Sequence, residues 1–249
     1  MFIFAFSKKK IIAVLVLTSN EIYGQSEQPH SIQVEIIRAF EVSIAAGNTT
    51  LLESIKNRLK SNDSQMAVYW SSYAKFYESL YYLKNQDEKR AKKIINSAIS
   101  MLEKVPDKNS EIYALLAYLQ NFSIQFSGGF SAAFTSGKVK NNAEAALKLD
   151  SLNLRAWYVL ALNDYYTPAA YGGGKKCENY LLKTVSLNPK SSPYNYMPSW
   201  GKNDAYALLI GYYIKNEKFS KAKENLKIAL SLYPDDKMIK QYDEVLKNK

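Results

Sequence analysis

The stretch from Asn203 to Pro234 constrains the fold more than any other part of the chain. Large residues recur at spacings of three and four along its first half, which places them on one stripe of a helix: Tyr206, Leu209 and Tyr213. After a short polar break, a second stripe follows: Ala222, Leu226 and Ala229. Alanines let two antiparallel helices approach closely, and Pro234 ends the second helix. The stretch therefore predicts a helical hairpin that needs neighbours on both sides to bury its apolar face.

This spacing resembles the tetratricopeptide repeat (TPR), a helix–turn–helix unit of 34 residues. With Asn203 as position 1, the two stripes fall at positions 4, 7, 11, 20, 24 and 27 of the repeat, and Pro234 at 32. The sequence departs from the pattern at position 8, where Ile210 replaces the small residue and Gly211 follows one place later. The resemblance implies an all-α fold that holds a partner in a concave groove.

Related spacing recurs along the chain and predicts an all-α, TPR-like α-solenoid over residues 25–249. Its hairpins are expected at about 31–60, 65–104, 110–149, 153–189 and 202–234, with a C-terminal capping helix at 236–247. Within residues 110–189, the pattern YYTPAAYGGGKK in a hairpin is similar to a group of secreted bacterial TPR proteins. It is more distantly similar to the periplasmic TPR component of tripartite solute transporters.

Two segments exceed the repeat length, 126–137 and 190–201. The first is predicted to interrupt the third hairpin as a glycine-rich insertion, with a helix only from about Lys138. Its Phe130 and Phe134 are expected to pack on the stack or line a pocket, because large aromatics are costly to leave in water. If both segments fold over the groove, they enclose a cavity for a small apolar ligand. If they point outward, the open groove suits a peptide or a partner helix.

The N-terminus has the layout of a secretory signal peptide, residues 1–24. Three lysines, Lys8 to Lys10, precede a short apolar run from Ile11 to Leu17, and Gly24 offers a small residue for cleavage. Cleavage predicts a periplasmic or secreted protein without a stable membrane span; the alternative is an N-terminal membrane anchor. Cleavage removes three lysines and Glu21, so the net charge of +10 becomes +8. Basic residues lie in runs of mixed sign, which indicates solvated helix faces rather than a nucleic-acid partner.

Several residues that invite a chemical interpretation have a simpler structural one. Gly172 to Lys176 lack the preceding strand and the following Ser or Thr of a phosphate loop. Cys177 falls in an alanine position at a helix crossing and is expected to be a buried small residue. Asp164 is expected to cap backbone amides of the next turn, since an unpaired buried carboxylate is costly. No metal-ligand spacing occurs, so the sequence predicts no enzyme, no metal and no cofactor.

The resemblance implies that five positions of each first helix face the concave groove, namely positions 2, 5, 9, 12 and 13. The candidate binding residues at these positions are Arg155, Tyr158, Leu162, Tyr165, Tyr166, Tyr118, Asn121, Phe122, Asp204 and Lys215. Tyrosine suits a binding surface because it is large and rigid and carries a polar tip, and Arg155 is expected to orient an acidic group. The predicted function is an exported, non-enzymatic TPR scaffold for a protein or peptide; the alternative is a small-ligand carrier, with a small apolar ligand, in an envelope transport or uptake system.

Overall fold

The computed structural model describes residues 2–4, 13–15, 31–60, 62, 64–189, 196–247 and 249. These residues contain eleven α-helices: α1 (Ile32–Ala46), α2 (Thr50–Lys60), α3 (Gln65–Lys84), α4 (Glu88–Glu103), α5 (Ser110–Ser123), α6 (Gly129–Leu149), α7 (Leu154–Tyr166), α8 (Cys177–Ser186), α9 (Lys202–Lys215), α10 (Phe219–Leu232) and α11 (Lys237–Leu246). Short 3-10 turns follow α5 and α7, at Ile124–Phe126 and Ala169–Tyr171.

The helices form an all-α, solenoid-like stack of hairpins. Consecutive helices pair as α1 with α2, α3 with α4, α5 with α6, α7 with α8 and α9 with α10, and α11 packs on α9 and α10. In addition, α3 contacts α5, α5 contacts α7, and α7 contacts α9. The chain segment before α9 reaches α3 as well. The fold predicted from the spacing is confirmed.

The second helix of each hairpin buries the stripe that the sequence predicts. Every residue of this set is at most 5% exposed: Ala91, Ile95, Ala98, Val139, Ala143, Ala146, Cys177, Leu181, Thr184, Ala222, Leu226 and Ala229. Apart from Val139, the residues at the first and last position of each stripe are small and allow close backbone approach, and hydroxyls bond across the gap. Ser79 of α3, for example, donates to the carbonyl oxygen of Ala91 at 2.9 Å.

The glycine-rich turn between α7 and α8 is a rigid cap. Asp164 Oδ2 accepts hydrogen bonds from the backbone N–H groups of Lys176 and Cys177, at 2.9 and 2.8 Å, as the sequence predicts. A side chain at Gly173 would place its Cβ 1.9 Å from the carbonyl oxygen of Thr167, so only glycine fits there. The turn thereby fixes the start of α8 against the end of α7.

The prediction for residues 126–137 is wrong in two respects. Most of the segment is helix, because α6 begins at Gly129 and runs unbroken through Gly137. Phe130 and Phe134 neither pack on the stack nor line a pocket; they are 96% and 69% exposed. The reason is length: α6 has 21 residues against 14 for α5, so its first turns extend past the end of their partner.

Most of the predicted signal peptide lies outside the described residues, as do positions 190–195 of the second long segment. Within residues 1–24, the structure describes two three-residue strands, β1 (Phe2–Phe4) and β2 (Ala13–Leu15), which pair antiparallel. No helix in the described part of the chain is long and apolar enough to span a membrane.

Candidate functional site

The segment from Tyr196 to Gly201, which we call the floor segment, packs against α1, α3, α5 and α7. Its Trp200 is buried and donates from Nε1 to the hydroxyl of Tyr69 in α3 at 2.7 Å. The Trp200 ring lies 4.8 Å from the ring of Tyr118 in α5, measured between centroids. Backbone N–H groups of Ser199 and Trp200 donate to Gln33 Oε1 in α1. One short segment therefore contacts α1 and α3, which lie more than a hundred residues before it in the sequence.

A buried ion pair holds the floor segment from α7. Arg155 donates from Nε and Nη2 to the two carboxylate oxygens of Glu111 in α5, both at 2.6 Å. Its Nη1 donates to the carbonyl oxygen of Pro198 at 3.1 Å. Arg155 is only 2% exposed, and Asn153 adds a further hydrogen bond to Glu111 at 3.1 Å. This bidentate geometry satisfies both charges without any outside partner.

Above the floor, aromatic side chains from α3, α5, α7 and α11 come together in one cluster, and we call the face of the stack that they form the inner groove. Its lining residues are Tyr77, Tyr118, Phe122, Tyr158, Leu162, Tyr165, Tyr166 and Tyr242. Rings meet edge to face along the wall: Phe76 lies 5.2 Å from Tyr118 and 5.0 Å from Phe122. Tyr158 is buried, whereas most of the other tyrosines keep part of their surface accessible. The groove thus offers ring edges and hydroxyl groups to an occupant.

Burial controls the protonation of these tyrosines. Desolvation raises the pKa of Tyr77, Tyr118, Tyr158 and Tyr166 well above the usual value for a phenol. Neighbouring tyrosines raise the pKa of Tyr118, Tyr158 and Tyr166 further. Their hydroxyl groups are therefore neutral at physiological pH and can both donate and accept hydrogen bonds. Phenolate chemistry is disfavoured at every one of these positions.

Asp204, in the first turn of α9, places a carboxyl group at the floor end of the groove. Its Oδ2 accepts a hydrogen bond from the backbone N–H of Gly201 at 3.2 Å. Desolvation, and then the negative charge of Asp236, raises the pKa of this carboxyl group to about 6. It also raises the pKa of Tyr77, Tyr118 and Tyr158, which places it near all three.

The opposite end of the groove, its mouth, carries more exposed groups. Tyr165 and Tyr166 are half-buried with their rings edge to face at 5.0 Å, and Lys215 Nζ lies 5.0 Å from the Tyr165 ring centroid. A Cβ at Gly211 would lie 2.8 Å from the hydroxyl of Tyr242, so glycine lets the capping helix close over α9. The floor end of the groove therefore carries an acidic group, Asp204, and the mouth carries a basic one, Lys215.

A solved structure shares this architecture. The fold is similar to that of the HusA haemophore from Porphyromonas gingivalis. The two chains are 22% identical, and their structures align with a TM-score of 0.55. The alignment covers 77% of this chain and 96% of that one. No protein-family model matches the sequence, and no curated protein matches it. At this identity, the likeness supports the fold.

The structure brings most of the predicted site residues together but divides them by depth. Tyr158 and Leu162 are buried in the wall, Asp204 lies at the floor, and five others are half-buried: Tyr165, Tyr166, Tyr118, Asn121 and Phe122. Lys215 is exposed at the mouth. Arg155 requires a correction, because Glu111 already engages its guanidinium; it positions the floor segment rather than an acidic group of a partner.

Sequence reasoning missed three contributors to the groove: Tyr77, Tyr242 and Trp200. Trp200 lies in residues 190–201, which exceed the repeat length, and the spacing does not indicate where this segment packs. The dense aromatic content of that loop is the one signal that could have pointed to the groove.

Other features of the described chain offer no competing site. Cys177 is fully buried, and desolvation together with Asp164 raises the pKa of its thiol to about 12, so it is not a nucleophile at neutral pH. No group of three or more potential metal ligands occurs among the described residues. An open depression of about 410 Å³ lies away from the groove and is lined by Glu103, Lys108, Tyr113, Leu116, Gln120, Lys138, Asn141 and Asn142. It is open and mostly polar, whereas the groove has an aromatic wall.

Proposed function

We propose that this protein is an exported, non-enzymatic carrier whose inner groove binds a small, flat, aromatic ligand, with porphyrins such as haem as the first class to test. The observation that carries the proposal is the convergence of tyrosines from α3, α5, α7 and α11 on one space. Rigid aromatic walls bind flat apolar ligands through stacked and edge-to-face contacts. The similarity of the fold to a haemophore supports the choice of ligand class.

The closed floor favours a compact ligand over a long one. The floor segment is fixed by Gln33, Tyr69 and Arg155, so a peptide could not pass through this end of the groove. A compact ligand can enter at the mouth and rest against the tyrosine wall without displacing these contacts. Because the floor is already ordered, little conformational entropy is lost on binding.

Charge within the groove suggests how a porphyrin would be oriented. Its two propionates are anionic, so ionised Asp204 at the floor would repel them, whereas Lys215 at the mouth would attract them. We therefore place the apolar edge of the ring against Tyr118 and Tyr158 and the propionates at the mouth. Bound haem would supply its iron, but the raised pKa of the groove tyrosines opposes their use as phenolate ligands. Stacking then provides most of the affinity.

A second candidate function is the scaffold for a protein or peptide that the repeat pattern implies. The half-buried residues Asn121 and Phe122 favour it, because they lie near the mouth, where a helix or a loop of a partner could contact them. In this case the partner would occupy only the outer part of the groove.

Titration with haem and with metal-free protoporphyrin tests the proposal. We expect both to bind with micromolar or tighter affinity, to shift the main porphyrin absorption band, and to quench the fluorescence of Trp200 at the floor. Tyr118→Ala should weaken binding by about tenfold or more. The matched control is Tyr171→Ala, which removes a tyrosine that is 81% exposed on the α7–α8 turn, and it should bind like the unaltered protein.

Two outcomes would contradict the carrier proposal. One is the absence of saturable binding for both porphyrins, and the other is equal loss of affinity in Tyr118→Ala and Tyr171→Ala. Binding of haem but not of metal-free protoporphyrin would contradict the stacking geometry and point to iron ligation instead.

A further inference from the structure

The exposed first turns of α6 and the α7–α8 turn project from the same edge of the stack. Ser136 of α6 donates to Asn163 Oδ1 of α7 at 2.8 Å, which ties the two helices together just below this edge. Beyond that tie, residues 129–135 of α6 continue for about 10 Å at 1.5 Å per residue. We call residues 129–138 and 169–176 together the projecting edge.

The projecting edge carries three large aromatic side chains in water. Phe130 and Phe134 lie four residues apart, so they share one side of α6, and they are 96% and 69% exposed. Tyr171 on the neighbouring turn is 81% exposed. Nothing in the hairpins requires these residues, because the packing of α6 begins at the buried Val139. Their exposure has no structural function in the described part of the chain.

Within the projecting edge, every charged side chain is a lysine. No acidic residue occurs in 127–143 or in 165–177. Lys138, Lys175 and Lys176 are all exposed on the projecting edge, and Lys138 Nζ lies 4.9 Å from the Phe134 ring centroid. Gly128 gives α6 no side-chain cap, so the positive end of its macrodipole also faces outward. The complementary surface must therefore be anionic and must accept aromatic side chains.

The shape of the projecting edge favours a lipid surface over a protein. Aromatic anchors in protein interfaces are typically surrounded by neighbours that exclude water once the partner is in place. Phe130 stands nearly free on a convex tip and has no such surround. A bilayer interface needs no complementary pocket: phenylalanine enters the boundary between headgroups and acyl chains while flanking lysines contact anionic lipids.

We propose that the projecting edge docks this protein reversibly on anionic membranes, with Phe130 and Phe134 inserted at the interface and Lys138, Lys175 and Lys176 on the headgroups. The contact is peripheral and leaves the stack of hairpins unchanged. It is independent of the ligand proposed for the inner groove. The mouth lies at the ends of α5, α7 and α9, on this same edge, so docking would bring it near the lipid.

Vesicle flotation without added ligand tests the proposal, with vesicles of phosphatidylcholine alone and of phosphatidylcholine with about one third phosphatidylglycerol. We expect binding to the anionic vesicles only, and loss of it at high salt. The double variant Phe130→Ala/Phe134→Ala should lower the partition coefficient by about tenfold. The triple variant Lys138→Gln/Lys175→Gln/Lys176→Gln should lower it by a similar factor or more.

The control is Leu149→Ala/Leu152→Ala, which removes two exposed apolar side chains near the other end of α6, and it should partition like the unaltered protein. A Phe130→Trp variant provides a direct readout: brominated acyl chains should quench its added fluorescence, whereas quenching no greater than that of the unaltered protein contradicts insertion.

Absence of binding to anionic vesicles overturns the proposal, as does equal binding by the phenylalanine double variant. Sedimentation velocity adds one further outcome: a dimer that only Phe130→Ala/Phe134→Ala dissolves would identify a second copy of the chain as the occupant instead.

Discussion

The floor and the mouth of the inner groove are both built from residues at the groove-facing positions of the first helices, yet they have different roles. At the floor, Arg155 and Glu111 satisfy each other and hold the floor segment in place. At the mouth, Tyr165 and Tyr166 have half-buried rings, and Lys215 is exposed. The repeat pattern treats all of these residues alike, as residues that face the concave side.

The difference shows that the direction in which a side chain points and its availability for binding are separate properties. Helical spacing determines which way a side chain points, and this is why most of the predicted residues do face the groove. Whether such a residue is free to bind depends on what else enters the groove, and here a segment from beyond α8 fills one end. A concave surface in a solenoid is therefore a binding surface only where the chain does not already occupy it.

The largest effect is expected from breaking the floor. Arg155→Ala leaves Glu111 buried without its partner and releases the floor segment, so it should destabilise the protein by about 3–5 kcal/mol. Chemical denaturation at neutral pH measures this change. The double variant Arg155→Met/Glu111→Leu should recover much of the loss, because no buried charge remains. A loss below about 1 kcal/mol in Arg155→Ala would mean that the floor is not a structural element.

The next largest effects are expected from replacing two tyrosines, one in the wall of the groove and one at its mouth. Tyr158→Ala removes a buried ring and should cost roughly 3 kcal/mol of stability, in the manner of other large-to-small core changes. Tyr166→Ala should change stability by less than about 1 kcal/mol but weaken porphyrin binding by about tenfold to thirtyfold. Denaturation and titration of both variants give the comparison. Equal stability losses would show that the two ends are not distinct.

The sequence was sufficient for the fold because the hairpins are specified locally. Alanine, cysteine and threonine at the crossing points, with larger residues between them, recur in α4, α8 and α10, and each stripe is buried as expected. Asp164 was also interpreted correctly, since its role depends only on the turn that follows it. Contacts between neighbours in sequence are what spacing can predict.

The errors come from contacts over long sequence separations. Trp200 reaches Tyr69 across 131 residues, and no periodicity encodes such a contact. The wrong prediction for Arg155 has the same cause, because spacing alone does not show that its guanidinium pairs with Glu111. Residues 126–137 were predicted wrongly in another way: glycines at 128, 129 and 137 suggested a loop, but the residues from Gly129 to Gly137 form helix even without a partner to pack on.

Asp204 provides a smaller, pH-dependent test of the floor. Its folded-state pKa of about 6 exceeds the ordinary value of 3.8, so the folded protein binds more protons than the unfolded chain between these values. Its contribution to stability therefore falls as pH rises from about 4 to about 6. Asp204→Asn keeps an acceptor for the N–H of Gly201 and removes this fall, so the variant should gain stability relative to the unaltered protein across that window. Asp243→Asn removes the same charge from an exposed position on α11 and is the matched control.

The smallest effect is expected from an ion pair at the hairpin edge near the mouth, the exposed counterpart of Arg155 and Glu111. Glu178 at the start of α8 accepts hydrogen bonds from Lys218 at 2.7 Å, Lys221 at 2.9 Å and the Tyr213 hydroxyl at 3.1 Å. The hydrogen bond from Lys218 is the largest cause that lowers the pKa of Glu178 to about 2, from 4.5. A lowered pKa stabilises the fold above pH 4.5, and that contribution is lost as pH falls from 4.5 towards 2.

Glu178→Gln should therefore cost about 1 kcal/mol or less at pH 7, less in high salt, and nothing near pH 2, since water screens partly exposed pairs. Denaturation of Glu178→Gln and Arg155→Ala side by side sets the two ion pairs on one scale: a Glu178→Gln loss as large as that of Arg155→Ala would show that depth in the groove does not decide what a charge pair contributes here.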